Sequence, residues 1–168
     1  MRIEASYPFL GGLPGTERTV TEMNRLVREG RNHPAIVHDA RQIVRNVPRK
    51  DYAAEAEAIF AWIKDNIRYT RDPRGTEWLQ RAEVTLKEGH GDCDCLSVLQ
   101  NAMFEALGME TGFVAVKAEP RAPEEFSHIY PIVNTQHGWR AADVVANESY
   151  FGWQPSSGTW GRKVFLNR

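Results

Sequence analysis

Both cysteines of the chain lie in one short segment, Gly89–Cys95, which reads Gly-His-Gly-Asp-Cys-Asp-Cys. An apolar-periodic stretch follows from Leu96 to Leu107, so the segment predicts a loop that brings a thiol to the beginning of a helix. Asp92 or Asp94 can cap that helix by accepting backbone N–H bonds. The unpaired N–H groups and the dipole at a helix N-terminus stabilise a thiolate, so we expect a cysteine of lowered pKa that acts as a nucleophile.

The two cysteines are predicted to differ in their surroundings. A helix that begins near Asp92 turns by about 100° per residue, and side chains three and four apart form its apolar face: Leu96, Leu99, Met103 and Leu107. Cys95 falls beside that face, whereas Cys93 lies on the other edge, one turn nearer the loop. We therefore predict that Cys93 is reactive and that Cys95 is a small buried hydrophobe. The alternative is that both are simply buried.

A nucleophilic thiol needs a base, and the base needs an orienting group. His128 lies early in a predicted strand at 126–134, and Asp143 lies in a predicted strand at 139–145. Across a hairpin turn at 135–138 they lie almost opposite each other, so we expect a cross-strand contact. An imidazole held by a carboxylate keeps its other nitrogen for the thiol. The alternative for His128 is a strand histidine that only bonds a backbone carbonyl.

The other histidines fit the role of base less well. His33 and His38 lie in predicted N-terminal helices, and His137 lies in the hairpin turn. His90 shares a loop with Cys93 and cannot easily fold back onto the thiol.

The hydrophobic periodicity changes along the chain from helical to extended. Residues 1–15, rich in Pro and Gly, predict an extended arm, and residues 146–168 predict a mostly irregular tail. Helices are predicted at 16–29, at 34–47 before Pro48, at 51–67 with Asp51 as cap, and as short turns within 76–88. Residues 68–70 should be extended, and strands are predicted at 113–117, 126–134, 139–145 and 163–166. Helices followed by an antiparallel sheet describe an α+β fold.

The size and charge of the chain exclude several classes of protein. Its 168 residues, 42% hydrophobic and 26% charged, predict one domain or one domain with an extension. A formal net charge of −1 with scattered Arg residues gives no reason to expect a nucleic-acid partner. No apolar run approaches the length that spans a membrane, and no apolar core follows the N-terminus, so we expect neither membrane insertion nor a secretory signal.

Three separated pieces of the chain, in order, resemble the core of the transglutaminase-like superfamily. They are Gly91–Asp94 with the apolar helix ending at Leu107-Gly108, Ser127–Tyr130, and Trp139–Asp143. Upstream, Ile59–Tyr69 is similar to the helix and extended segment that precede that core, and Phe151–Trp153 resembles the ending of phage and prophage members. The resemblance covers about residues 52–155.

The resemblance implies a papain-like α+β fold with a Cys-His-Asp triad at Cys93, His128 and Asp143. It implies cysteine-dependent acyl transfer on a protein or peptide, either peptide or amide hydrolysis or transamidation, without a cofactor. An oxyanion hole should include the Cys93 backbone N–H, with Gln80 or Trp78 as the candidate second donor. The family often has Asp where this chain has Cys95.

The same resemblance predicts a division of the chain and a setting for it. Residues 1–50 would form an extension of an arm and two helices, and residues 51–168 the transglutaminase-like core with its tail. The likeness to phage members implies the cytoplasm of a bacterial host, or a phage virion, as the location. The extension could then bind phage structural proteins.

Two rival functions share these residues. His90, Cys93, Cys95 and His128 could hold zinc, although C-x-C is a weak metal signal and no metal is our expectation. Alternatively, the chain is a structural or interaction component of a phage particle, with little or no catalysis on the same fold.

Overall fold

The computed structural model describes residues 5–8, for which only the backbone is considered, 12–73, 76–155 and 161–167. The helices are α1 (Gly12–Gly30), α2 (Pro34–Ile43), α3 (Tyr52–Asn66), α4 (Ala82–Glu88) and α5 (Cys93–Ala106). The strands are β1 (Ala5–Pro8), β2 (Arg68–Tyr69), β3 (Thr76–Leu79), β4 (His90–Gly91), β5 (Thr111–Val116), β6 (His128–Thr135), β7 (Gly138–Ala141) and β8 (Arg162–Leu166). The predicted α+β fold, helices first and an antiparallel sheet after them, is confirmed.

Helix α5 is the centre of the fold. Its residues from Asp94 to Phe104 are all buried, because helices α1 to α4 and the sheet surround it. Buried side chains of α1 and α2, such as Met23 and Ile36, belong to the same hydrophobic cluster as Leu99 of α5. The packing of α5 on several sides therefore fixes the position of its first residue, Cys93.

Four antiparallel strands form the main sheet in the order β7-β6-β5-β8. Val116 of β5 pairs with His128, and Ala141 of β7 pairs with Ile132, so β6 is a central strand. The four predicted strands are all present, with shifted ends. β7 is shorter than the predicted strand 139–145, and Asp143 lies in the loop that follows it.

The helix boundaries follow local chemistry. The Asp51 side chain accepts a hydrogen bond from the Ala54 N–H (3.2 Å), so the predicted cap of α3 is confirmed. Helix α1 begins at Gly12, before the predicted Thr16, because the first turn of a helix tolerates Pro14. Gly12 has φ +75°, and its carbonyl accepts a hydrogen bond from the Thr16 hydroxyl (3.1 Å).

Strand β3 was not expected from the sequence. Its four residues lie where helical turns were predicted within 76–88, and only α4 confirms that part of the prediction. β3 pairs antiparallel with β1, with Ala5 opposite Leu79 and Pro8 opposite Thr76. Such a pairing of distant segments has no local signal. It also places one element within the predicted arm, of which Phe9 and Leu10 lie outside the described residues.

Among the residues that the structure describes, no helix is both long and apolar enough to cross a lipid bilayer.

Candidate active site

The loop before α5 places Cys93 at the first position of the helix. Asp92 is the N-cap, and its Oδ1 accepts a hydrogen bond from the Cys95 N–H (2.9 Å), which decides between the two predicted caps. A Cβ on Gly91 would lie 2.7 Å from the Cβ of Cys95. Because glycine has no Cβ, Gly91 lets the loop pass close to the first turn of α5.

The two thiols face different surroundings. Cys95 is 1% exposed, and its Sγ lies 3.5 Å from the Trp78 carbonyl oxygen, to which it can donate. Cys93 is only half-buried and lines a cavity. The predicted burial of Cys95 is confirmed, and Cys93 is the cysteine that lines this cavity.

His128 and Asp143 are in direct contact. The imidazole Nε2 of His128 lies 2.7 Å from Oδ2 of Asp143, whose side chain is 2% exposed. The other carboxylate oxygen, Oδ1, accepts a hydrogen bond from the Val145 N–H (3.0 Å). Since a carboxylate only accepts, Nε2 carries a proton and Nδ1 is left for another partner. The contact was predicted between strands, but Asp143 makes it from the loop after β7.

Cys93 and His128 line the same cavity, of about 500 Å³. The backbone N–H of Ile129, next to His128 on β6, is close enough to the Cys93 thiol to lower its pKa. Residues from α1 and from the loop before β6 complete the wall, among them Thr16, Thr19 and Phe126. The first turn of α5 and the beginning of β6 thus bring the thiol and the imidazole to one opening.

Four acidic side chains surround the thiol. Asp72 shares a hydrogen bond with Asp92, and Glu77 shares one with Asp94. Asp92 is 8% exposed and Asp94 is 6% exposed. Burial and the nearby Asp72 raise the pKa of Asp92 to about 7, and burial with the nearby Asp92 raises that of Asp94 well above its ordinary value. Burial therefore favours the protonated form of these carboxyl groups.

These carboxyl groups overturn the expected lowering of the thiol pKa. Burial, followed by the charges of Asp94 and Asp92, raises the pKa of Cys93 well above its ordinary value. The nearby Ile129 N–H lowers the pKa of the thiol but does not compensate. The unpaired N–H groups at the helix N-terminus favour a thiolate, but both sequence neighbours of Cys93 carry carboxyl groups, which oppose it. The raised pKa favours the neutral thiol over the thiolate.

The candidate second oxyanion donors lie nearby but do not line this cavity. Gln80 is 3% exposed, and its Oε1 has no hydrogen-bond partner among the described residues. The Trp78 N–H donates to Asp72 Oδ2, and its carbonyl faces Cys95. Their assignment to an oxyanion hole stays a prediction.

Metal-ligating groups come together at the N-terminus of α5. Within the described ranges, Asp92, Cys93 and Asp94 form the one group of three or more such side chains close enough to share an ion, with ligand atoms within 4.8 Å of one another. This set differs from the four residues considered for zinc, since His90, Cys95 and His128 are not members of it.

The family can be assigned from the sequence match. The model described as the transglutaminase-like superfamily matches residues 40–155. The chain belongs to this superfamily. The match includes Cys93, His128 and Asp143, together with the whole of α3, α5 and the strands β5 to β7. A search of curated proteins finds no match for this member of the superfamily.

Solved structures share the fold at low sequence identity. A “putative protease” from Parabacteroides distasonis has 12% identity and a TM-score of 0.56, over 74% of this chain and 26% of that one. A “putative cysteine protease” from Cytophaga hutchinsonii has 16% identity and a TM-score of 0.51, over 79% of this chain and 50% of that one. Legionella pneumophila LapG has 12% identity and a TM-score of 0.53, over 86% and 78%.

The transglutaminase-like chain therefore shares its fold with these structures. It spans about a quarter of the length of the Parabacteroides distasonis protein and half of the length of the Cytophaga hutchinsonii protein. These matches show the fold. The likeness to phage members stays a prediction.

The sequence did not indicate the acidic surroundings of the thiol. It also did not indicate Lys64, whose Nζ donates hydrogen bonds to backbone carbonyls of the loop after Asp143. Asp72, Glu77, Asp92 and Asp94 come from a loop, β3 and the beginning of α5, so no spacing signal connects them. The alternation of Asp with Cys at 92–95 was the one available sign.

Proposed function

We propose that this protein is a cysteine-dependent acyl-transfer enzyme in which Cys93 is the nucleophile, His128 the base and Asp143 the orienting carboxylate. The observation that carries the proposal is the 2.7 Å contact between His128 and Asp143 at the cavity that Cys93 lines. A second support is the closeness of the thiol to the Ile129 N–H, on the strand that carries the histidine.

The reaction begins from the neutral thiol. Nδ1 of His128 takes the thiol proton as the sulfur forms a bond to the substrate carbonyl carbon. The tetrahedral intermediate collapses by breaking the carbon–nitrogen bond, and His128 returns the proton to the leaving amine. Asp143 stabilises the imidazolium between these steps. A thioester on Cys93 remains, and water or a second amine then releases the acyl group.

The first donor of the proposed oxyanion hole is the Cys93 backbone N–H, since the first N–H groups of a helix have no partner within it. Gln80 and Trp78 are the proposed candidates for the second donor. The proposed substrate is a protein or peptide, and the release step decides between hydrolysis and transamidation.

The experiment compares two cysteine variants that carry the same substitution. Cys93→Ala and Cys95→Ala are assayed with a panel of fluorogenic peptide and amide substrates, with and without an added primary amine. We expect turnover to be lost in Cys93→Ala and kept in Cys95→Ala. Free acid as the product indicates hydrolysis, and an amine adduct indicates transamidation. Turnover that survives in Cys93→Ala would refute the proposal.

A further inference from the structure

The loop that carries Asp143 leaves the sheet and returns to it. Ala142 N–H donates to the Pro131 carbonyl (2.9 Å), and Gly152 N–H donates to the Ala141 carbonyl (2.8 Å). We call residues 142–151 the Asp143 loop. Between these two bonds the loop has no strand partner among the described residues, so something else must fix the carboxylate against His128.

Lys64, in the last turn of α3, lies against this loop. Its Nζ donates to the carbonyl oxygens of Ala146 (3.0 Å), Asn147 (3.1 Å) and Ser149 (2.6 Å). It also lies 2.8 Å from the Ser149 hydroxyl oxygen, which is a fourth acceptor. An ammonium has three N–H groups, so at least one is shared between two oxygens.

Four oxygens that converge on one point repel one another unless a cation lies there. Ser149 Oγ and N–H both bond the Ala146 carbonyl, so the acceptors are themselves one folded turn. The aromatic ring of Phe60, one helical turn before Lys64, lies 6.0 Å from that of Phe151 and closes the far end of the loop. The loop conformation therefore depends on a charge supplied by α3.

We propose that Lys64 is a positioning residue for the catalytic pair, which fixes Asp143 against His128 by gathering the backbone of the Asp143 loop. This inference rests on the proposed function of Cys93, His128 and Asp143. The hydrogen bonds of Lys64 described above go to the turn at 146–149 and not to those three side chains. Its effect passes through that turn to the Val145 N–H that bonds Asp143.

The matched variants are Lys64→Met and Lys163→Met. Both lysines lie over a phenylalanine ring, at 5.8 Å for Lys64 and 5.3 Å for Lys163, but Lys163 bonds Glu17 (2.9 Å) on the surface. Methionine keeps the apolar length of the side chain and removes the ammonium. Thermal unfolding of each variant establishes that it is folded.

The first readout is the NMR signal of the His128 Nε2 proton, assigned by its loss in His128→Asn. We expect this signal to exchange rapidly with solvent or disappear in Lys64→Met and to be unchanged in Lys163→Met. This readout needs no catalysis, so it tests the inference even if Cys93 proves not to be a nucleophile. An unchanged signal in folded Lys64→Met would overturn the inference.

The second readout is the rate of Cys93 alkylation by iodoacetamide between pH 6 and 9. Misplacement of a catalytic group costs about 10- to 100-fold, and we expect such a loss in Lys64→Met across that range. The double variant Lys64→Met with Asp143→Asn should be no slower than Asp143→Asn alone, because both changes act through one carboxylate. Additive losses would show that Lys64 acts by another route and would overturn the inference.

Should Lys64→Met fail to fold, Lys64→Arg provides the test. A planar guanidinium keeps the charge but cannot place one nitrogen where four oxygens meet. We expect an intermediate alkylation rate and a weakened Nε2 proton signal. Wild-type values in Lys64→Arg for both readouts would overturn the inference.

Discussion

Cys93 stands between two carboxyl groups in sequence and among four in space. This setting is unfavourable for a thiolate, because each ionised neighbour repels a second negative charge. In the proposed mechanism His128 therefore takes the proton during attack, because the raised pKa of Cys93 disfavours its loss beforehand. A substrate or ion that brings positive charge to Asp92 and Asp94 would make the thiol easier to ionise.

The pH dependence of alkylation tests this electrostatic picture. Because the pKa of Cys93 is raised well above 9.0, by burial first and then by Asp94 and Asp92, little thiolate exists at neutral pH. We expect the iodoacetamide rate, measured in a Cys95→Ala background, to keep rising beyond pH 9. Asp94→Asn removes a carboxyl group that raises the pKa of Cys93 when it is ionised, so the profile should shift to lower pH. A plateau below pH 8 in the unsubstituted site would contradict the raised pKa.

Asp143→Asn tests the orienting carboxylate. The asparagine can still bond the imidazole, but it no longer stabilises the imidazolium and can favour the wrong tautomer. We expect an unchanged fold by circular dichroism and turnover lowered by about 100- to 10,000-fold. Val145 N–H can still donate to the amide oxygen, so the loop is kept. Full turnover in Asp143→Asn would remove Asp143 from the mechanism.

At the scale of elements, local signals were sufficient wherever the cause was local. The Asp92 cap, the apolar face of α5 and the β6–β7 hairpin follow from neighbouring residues, and they place Cys93 and His128 correctly on their elements. The hairpin also brought Asp143 near His128, although β7 ends before it. Strand β3 pairs with β1, which lies far away in sequence. The helical prediction for 76–79 was wrong because no local pattern indicates such a pairing.

The packing of α1 on α5 gives an element-scale prediction. A Cβ on Gly30, the last residue of α1, would lie 2.9 Å from the Ala82 Cβ and 3.1 Å from the Ala102 Cβ. Gly30→Ala should therefore lower the free energy of unfolding by about 1–3 kcal/mol, measured by urea denaturation. Arg28→Ala is the control, because Arg28 is an exposed residue in the last turn of the same helix. No loss in Gly30→Ala would mean that α1 packs loosely.

At the scale of the whole molecule, the chain brings acidic residues from separate segments into one buried group. Asp72 precedes β3, Glu77 lies on it, and Asp92 and Asp94 flank Cys93. No property of composition reveals this, since the formal net charge is only −1. The site couples folding to proton binding, because the fold favours the neutral form of these carboxyl groups.

The stability of the fold should consequently fall as the pH rises. The pKa of Asp92 is 3.8 in an ordinary setting and about 7 in the fold, because of burial and then the nearby Asp72. Between these two values the folded chain holds a proton that the unfolded chain has lost, and each extra proton held makes stability decline by about 1.4 kcal/mol per pH unit. The effect is absent below the lower value and complete above the higher one.

Asp92→Asn isolates this contribution, because asparagine is as good an N-cap as aspartate and cannot ionise. We expect urea unfolding at pH 5, 6, 7 and 8 to show a steeper decline for the unsubstituted protein than for Asp92→Asn up to about pH 7, with parallel curves beyond. The difference cancels the titration of the histidines, which both proteins share. If the two declines are parallel from pH 5 to 7, Asp92 is already ionised in the fold, which contradicts its raised pKa.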